Sequence, residues 1–533
     1  MVLFDPHRYA YPSRRSVVYA RRAMACTSVP LGAQVGLDVM KAGGNAVDAA
    51  VAMAAAMPLL EPTGNGIGGD CFALVWVERE KKLYGLNASG VSPAALSAAL
   101  VRERGFGEMP KEGWLPTMVP GAPGGWAELN RRFGTRPLEE LFAPAASYAR
   151  EGVAVPVNVA VQWALDGPRI GRAMERDPAP HRPWWERMMK ADGTPYRAGE
   201  IFRWPEYADT LEELAATSCE SFYRGSLMER MVSFSRETGG FFPEWVEPIT
   251  ADYKGYTVCE IPPNGHGITV LMALNILKGL PLSQERDSAD TYHKILEAIK
   301  LAFADTRTYV ADPRYMRTRV ADLLSEDYAA RRRALIGERA LLPQAGDPSC
   351  GGTIYLCTAD PQGNMVSFIQ SNYTTFGAGI RIPGTGICLQ NRGANFSLDE
   401  GSDNCLAGGK KSYHTIIPGF LMKEGTAVGP FGVMGAFMQP QGHVQVVVNT
   451  VDYHMNPQEC LDAPRMQWTG GKRIQLEREV PAHIGLRLAE MGHQVEICNS
   501  NLDMGRGQII WRMEDGTLAG GTEPRCDGTV AAW

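Results

Sequence analysis

A threonine that follows two glycines and opens a β-rich run is the residue in this chain best placed for covalent chemistry. In Cys350-Gly351-Gly352-Thr353-Ile354-Tyr355-Leu356-Cys357 the hydroxyl of Thr353 precedes an apolar stretch rich in strand formers. Asp360-Pro361-Gln362-Gly363 then supplies Pro where a turn wants φ of about −65° and Gly where it tolerates positive φ, so the run that follows should fold back as an antiparallel hairpin. A turn centred on Pro361 and Gln362 places Thr353 opposite Gln370 or Ser371, within reach of a second hydroxyl. Taken alone, Thr353 is an ordinary β-branched strand residue. If the chain is cut between Gly352 and Thr353, the residue gains an α-amine with a pKa of roughly 7.7–8.0 that can take the proton from the hydroxyl beside it. Nucleophile and general base then reside in one residue. The two glycines are no cleavage code, but they remove bulk from the peptide that the hydroxyl would attack.

From Thr353 through Ser397, including Asp360 to Asn364 and Thr374-Thr375-Phe376-Gly377, the pattern resembles the γ-glutamyltranspeptidase and cephalosporin-acylase-like family of self-cleaving N-terminal nucleophile hydrolases. The resemblance is collinear over most of the chain. It includes Gly43 to Ala50, Asn65-Gly66-Ile67-Gly68-Gly69-Asp70, Pro120 to Gly125, Ala298 to Pro313, Asn449 to Arg465 and Gly520 to Arg525. It implies an α/β protein with the four-layer αββα sandwich of that class. It also implies a zymogen that cleaves itself into a helix-rich large chain, 1–352, and a small chain, 353–533, which stay associated as one composite folded unit. Ser371 matches a family Thr and keeps its hydroxyl. Gly435-Ala436 stand where a family Gly-Gly pair offers two backbone amides to an oxyanion; Ala in the second place keeps the donor but restricts the dihedrals.

The substrate contacts implied by the resemblance depart from those of transpeptidases. The family's Arg for a substrate α-carboxylate falls at about Ser89, its Asp for the α-amine at Asn395, its adjacent Ser pair at His414-Thr415, and its Asn at Tyr373. Arg392 replaces a family Gln and brings a bidentate cation; the plain alternative is a surface Arg paired with an acid. Loss of the amine-holding carboxylate and gain of Arg392 point to an acyl group that carries a carboxylate and no ammonium. His414 could polarise a group or merely fill space. The expected activity is that of a threonine amidohydrolase or acyltransferase. A true γ-glutamyltranspeptidase or glutathione hydrolase is one alternative, and an unprocessed, inactive binding protein is another.

Other chemistries find less support. None of the nine His has another within five residues, no His, Cys and acid cluster shows zinc spacing, and there is no Gly-x-Ser-x-Gly elbow. No metal and no cofactor is expected. Gly64-Asn65-Gly66-Ile67-Gly68-Gly69 formally matches a dinucleotide fingerprint, but a helix precedes it and a strand follows, the reverse of what phosphate binding needs. It reads as a Gly-rich turn feeding a buried strand. With 45% hydrophobic and 21% charged residues and a net charge of −6, the 533-residue chain has a soluble globular composition. It has no basic stripe for nucleic acid and no apolar run for a membrane. Eleven scattered cysteines without Cys-x-x-Cys, and a first stretch without a signal-like apolar segment, lead to the expectation of reduced thiols in a cytoplasm. The expected partner is a small-molecule amide; a homo-oligomer of the processed pair is compatible with this.

The elements that must position these residues are also legible in outline. Leu31 to Lys41 has helical spacing, and Asn45 is suited to cap a second, Ala-rich helix through Met57. Cys71 to Val77 and Leu83 to Asn87 read as strands. From Leu96 to Ala251 the chain reads as mainly helical, with Pro168 to Arg203 an irregular surface excursion. Asp290 to Val310 reads as an amphipathic helix and Arg331 to Ala345 as an exposed charged linker. Ile387 to Gln390, Pro418 to Met422 and Ala427 to Met434 read as strands, and Gln441 to Val451 as a helix.

Overall fold

Successive residues of the run after Thr353 face two different hydrophobic cores, as a strand buried on both sides requires. Ile354 and Leu356 join Ala25, Val366, Phe368 and the Ala-rich helix in one core. Tyr355 and Cys357 join Phe72, Leu74, Trp76, Ile369, Phe420 and Ile510 in another. The computed structural model describes Tyr11 and residues 15–235, 244–246, 248–343, 353–498 and 502–533; Gly351-Gly352 and the junction before Thr353 lie outside the described residues.

Two seven-stranded sheets stack through the second of these cores. One runs Thr529–Ala532, Met24–Thr27, Ile354–Ala359, Met365–Ser371, Asp70–Val77, Lys82–Ala88 and Glu244–Val246 in spatial order. The other runs Val18–Ala20, Leu518–Thr522, Arg506–Arg512, Thr426–Met434, Gly419–Lys423, Tyr256–Glu260 and Ile249–Tyr253. Helices Pro30–Lys41 and Ala46–Leu60 cover the first sheet. Gly267–Leu277, Ala289–Tyr309 and Met438–Val451 cover the second through a third core. The result is the four-layer αββα sandwich. Both sheets combine strands from before and after residue 353.

The hairpin forms with a small correction. Ile354 pairs with Gln370 and Ala359 with Met365. The connection spans Asp360 to Asn364, with Gly363 at φ +87°, one residue longer than the turn read from the sequence. Continued one step, this register sets Thr353 opposite Ser371 rather than Gln370. The helical pair also forms. Asn45 Oδ1 accepts from the amides of Val47 (2.8 Å) and Asp48 (2.9 Å), and Asp48 returns the bond to Asn45 N (2.9 Å), a complete capping box.

Several expectations need correction. Pro168 to Arg203 is no surface excursion, since Val157–Arg176 and Pro178–Met188 are helices and Pro168 sits inside the first. Trp163 and Trp184 are buried there against Phe376, at 5.7 and 4.8 Å between ring centroids; their packing outweighs what Pro costs a helix. The expected linker from Arg331 begins within the helix Glu326–Arg333. Its later residues are tied down, with Ala340 N on Met491 O (2.8 Å) and Leu341 N on Glu297 (3.1 Å); residues 344 and 345 lie outside the described residues. Ile387 to Gln390 makes only isolated bridges, to Arg381 and Gly68. A small third sheet of Met466–Gly470, Arg473–Glu477 and Gln494–Cys498 was not anticipated. Among the described residues no helix is long and apolar enough to cross a membrane.

Candidate active site

Thr353 stands at the mouth of its strand, buried, and its Oγ1 donates to Ser371 Oγ at 3.1 Å. Ser371 Oγ in turn accepts from Tyr373 N at 2.8 Å. The Gly-rich turn explains how Thr353 is seated. A Cβ on Gly64 would come within 3.2 Å of Thr353 O, one on Gly69 within 2.7 Å of Ser371 O, and one on Gly68 within 2.3 Å of Cys388 O. Close backbone approach explains these glycines: Gly64 and Gly69 lie against the two hydroxyl-bearing strand ends, and Gly68 lies against the backbone at Cys388.

Asp70 closes this turn and pairs with Ser371 across the sheet. It is fully buried, and burial pushes its carboxyl up to about 7 despite the nearby Arg392 cation. Oδ2 lies 2.9 Å from His414 Nε2, Gln390 Nε2 reaches both oxygens at 3.3 and 3.4 Å, and Gly90 N donates to Oδ1 at 3.3 Å. Because His414 Nδ1 accepts from Ile416 N (3.4 Å), Nε2 carries the proton and donates to Asp70. Burial and the Arg392 charge hold the imidazole well below its usual pKa, so it is a neutral donor.

Arg392 is buried rather than on the surface. Its Nη1 donates to Thr415 Oγ1 at 2.7 Å, and Tyr373 covers it at 4.5 Å from the ring centroid. Asp70 Oδ2 is 3.8 Å from Nε, too far for a hydrogen bond. Among the described residues Nε and Nη2 have no hydrogen-bond partner. Those two atoms form one edge of the guanidinium, the edge that matches the two oxygens of a carboxylate. Burial pulls this guanidinium down to about 10, which leaves it charged at neutral pH.

The remaining candidates fall into place around this edge. Asn395 is engaged at both ends of its amide: Tyr373 OH donates to Oδ1 (2.5 Å), and Nδ2 donates to Tyr413 O (3.1 Å). Ser89 donates to Asn87 Oδ1 (2.6 Å). Gly435 and Ala436 end the strand Thr426–Met434 at φ +135° and +48°, and neither amide donates to another described residue. Tyr355, two residues after Thr353, packs on Gly432. Ile417, two after Thr415, donates from N to Gln439 Oε1 (3.0 Å), so the turn and the Arg392 pocket share one end of the sandwich.

Sequence reasoning missed Asp70 and Gln390 as members of the site. The signal was an acid directly after a glycine run, but its partners are some 300 residues away. It also missed Arg169, in the supposed excursion, which donates to Thr375 O (2.5 Å) and Gly377 O (3.2 Å) and so braces the loop after Ser371. Spacing showed no metal pattern, yet folding gathers His293, Glu297 and His493 within 4.8 Å. Lys300 donates to Glu297 at 2.6 Å there, so the carboxylate's counter-cation is an ammonium.

Comparison with known proteins decides the family. The gamma-glutamyltranspeptidase family model matches residues 32–533. The chain belongs to this family. The "Glutathione hydrolase-like YwrD proenzyme" of Bacillus subtilis (strain 168) is 32% identical over 96% of this chain and 99% of its own length. The "Oxamate amidohydrolase proenzyme" of Klebsiella pneumoniae is 33% identical over 96% of this chain and 98% of its own. The crystal structure of cephalosporin acylase from Bacillus halodurans superposes with a TM-score of 0.93 at 52% identity, covering 100% of this chain and 99% of that one. The family's relatives are amidohydrolases, acylases and glutathione hydrolases, and this chain is an enzyme of the same N-terminal nucleophile hydrolase type.

Proposed function

We propose that the protein is a self-processing threonine amidohydrolase or acyltransferase whose preferred acyl group carries a carboxylate and no ammonium. The observation that carries this is the unpartnered Nε–Nη2 edge of buried Arg392 beside an Asn395 whose carbonyl oxygen is already taken. A buried cationic edge that makes no hydrogen bond is costly unless an anion meets it. The names of the relatives agree: one acts as a cephalosporin acylase, and another on oxamate, an amide whose acyl group bears a carboxylate and no amine.

In this reading cleavage after Gly352 frees the Thr353 amine, which takes the proton of Oγ1 as that oxygen attacks the amide carbonyl. The oxyanion is met by the amides of Gly435 and Ala436. The amine returns the proton to the leaving nitrogen, and water or a second amine then releases the acyl group from Oγ1. Ser371 orients the nucleophile, and Arg392, with Thr415 and Tyr373 fixing its plane, holds the distal carboxylate. His414 acts on Asp70 and is not needed as a base. The relatives are proenzymes, which supports processing into 1–352 and 353–533.

Steady-state rates on glutaryl and γ-glutamyl anilides test the proposal. Wild type should show the higher kcat/KM for the glutaryl compound, by about tenfold or more, since a neutral amide partner is roughly half as strong as a charge-assisted one. Arg392→Gln should raise KM for both anilides, since each carries the carboxylate that Arg392 would hold. A γ-glutamyl preference in wild type would overturn the acyl assignment and favour a glutathione hydrolase.

A further inference from the structure

The helix after the oxyanion turn carries Gln439-Pro440-Gln441-Gly442-His443-Val444-Gln445. Polar residues at 439 and 443, and at 441 and 445, form two i, i+4 pairs. All four are buried, and each accepts a hydrogen bond from the main chain of a neighbouring element. Gln441 Oε1 accepts from Trp468 N (2.7 Å) and Gln445 Oε1 from Met466 N (3.2 Å), both on the small sheet. Gln439 Oε1 accepts from Ile417 N (3.0 Å) and His443 Nε2 from Val433 N (3.1 Å).

The pair Gln439 and His443 lies where a ladder stops. Gly419 pairs with Phe431, and past that pair the amides of Ile417 and Val433 go to side chains. Val433 is two residues before Gly435. An N–H that donates to His443 Nε2 requires that nitrogen to be unprotonated, so the ring proton is on Nδ1, which donates to Glu260 Oε1 at 2.8 Å. His443 and Glu260 are fully buried. The helix is pressed against the same spot, since a Cβ on Gly442 would come within 2.6 Å of Val433 Cγ1. Beyond it the chain turns through Gly435 and then Ala436 at φ +48°, a conformation that L residues seldom hold unaided.

From this geometry we infer that His443, oriented by Glu260, is a positioning residue for the oxyanion hole: it anchors Val433 so that the Gly435 and Ala436 amides point at the developing alkoxide. Donors of this kind act only if held within about half an ångström of the productive geometry. Neither side chain touches the reacting atoms. The inference rests on the Thr353 reading above, and the comparison of variants with wild type separates the two.

The test measures turnover together with two inhibitors, a boronic acid analogue of the glutaryl group, which forms a tetrahedral adduct on Thr353 Oγ1, and glutarate, which does not. In His443→Leu, kcat should fall about 10- to 100-fold with KM within about threefold, somewhat less than removal of a donor itself. The boronate Ki should rise in the same proportion while that of glutarate stays put. His443→Gln, whose amide can accept from Val433 and donate to Glu260, should recover most of the loss. Where His443→Leu does not fold, Glu260→Leu, which leaves the imidazole without its acceptor, is read in the same way. A folded variant with unchanged kcat and boronate affinity, or one that loses glutarate in parallel, overturns the inference. A wild type that neither matures nor binds the boronate sinks the Thr353 reading and this inference with it.

Discussion

The cation proposed to hold the substrate carboxylate lies beside a titratable acid. Asp70 is buried and neutral at mildly acid pH, so Arg392 then faces a substrate carboxylate without a competing anion; once Asp70 ionises, the two anions share one guanidinium. KM for a glutaryl anilide should therefore rise several-fold between pH 6.5 and about 8. In Asp70→Asn it should stay flat, and a parallel rise in the variant would clear Asp70 of the effect. In the proposed mechanism the freed Thr353 amine, with an ordinary pKa of roughly 7.7–8.0, would act on kcat instead, which should rise as the amine loses its proton. Stability gives an independent check. The folded-state value of Asp70 lies above that of a free Asp, about 3.9, so the folded chain binds the proton more tightly. The stability tied to that proton is full below about pH 4 and falls as pH rises through about 7. Asp70→Asn should therefore gain in Tm relative to wild type as pH goes from 5 to 8. The Thr353–Ser371 pair was legible because one hairpin turn sets it. The resemblance pointed to His414 and Arg392 one by one, but Asp70 and the meeting of the three were not legible, because that meeting depends on three loops that no local pattern links.

At the level of elements, spacing gave the right structures wherever hydrophobic period and caps agreed, as at Asn45 and in Ala289–Tyr309. It failed where tertiary packing overrode a local signal. Pro168 and the Trp, Arg and Pro content of the following stretch argued for irregular chain, yet two buried Trp rings against Phe376 hold it helical. At the glycine turn the helix-then-strand order argued for a Gly-rich turn feeding a buried strand, and the turn lies against the backbone of Thr353 and Ser371. Gly68→Ala should be severely damaging, because its Cβ would sit 2.3 Å from Cys388 O, a backbone atom that cannot swing away. The expected loss is about 2–3 kcal/mol or more, seen as a fall in Tm, together with slowed maturation. Gly107→Ala, with nothing within 4 Å, is the matched control and should change neither. Equal Tm for the two variants would show that the turn is not the tight seat described.

For the whole molecule, the order of strands in the sheets makes a prediction about the two pieces. The strand Ile354–Ala359 lies between Met24–Thr27, from before Thr353, and Met365–Ser371, from after it; Asp70–Val77, also from before it, flanks the latter. In the other sheet Gly419–Lys423 pairs with Tyr256–Glu260. Each piece therefore leaves unpaired strand edges and open apolar faces without the other, a cost far above what a domain's few kcal/mol of stability could bear. Processing at Thr353 should produce chains of 1–352 and 353–533 that co-elute as one particle in native buffer and part only on global unfolding. Thr353→Ala should remain a single chain with the same fold. In a urea series, tryptophan fluorescence and dissociation of the small chain, followed by size-exclusion chromatography, should change at one midpoint. Segment 353–533 expressed alone should be insoluble or unfolded. Release of a folded small chain before the fluorescence transition would mean that the sandwich divides into two independent units, and that the interleaved ladders do not bind the pieces into one.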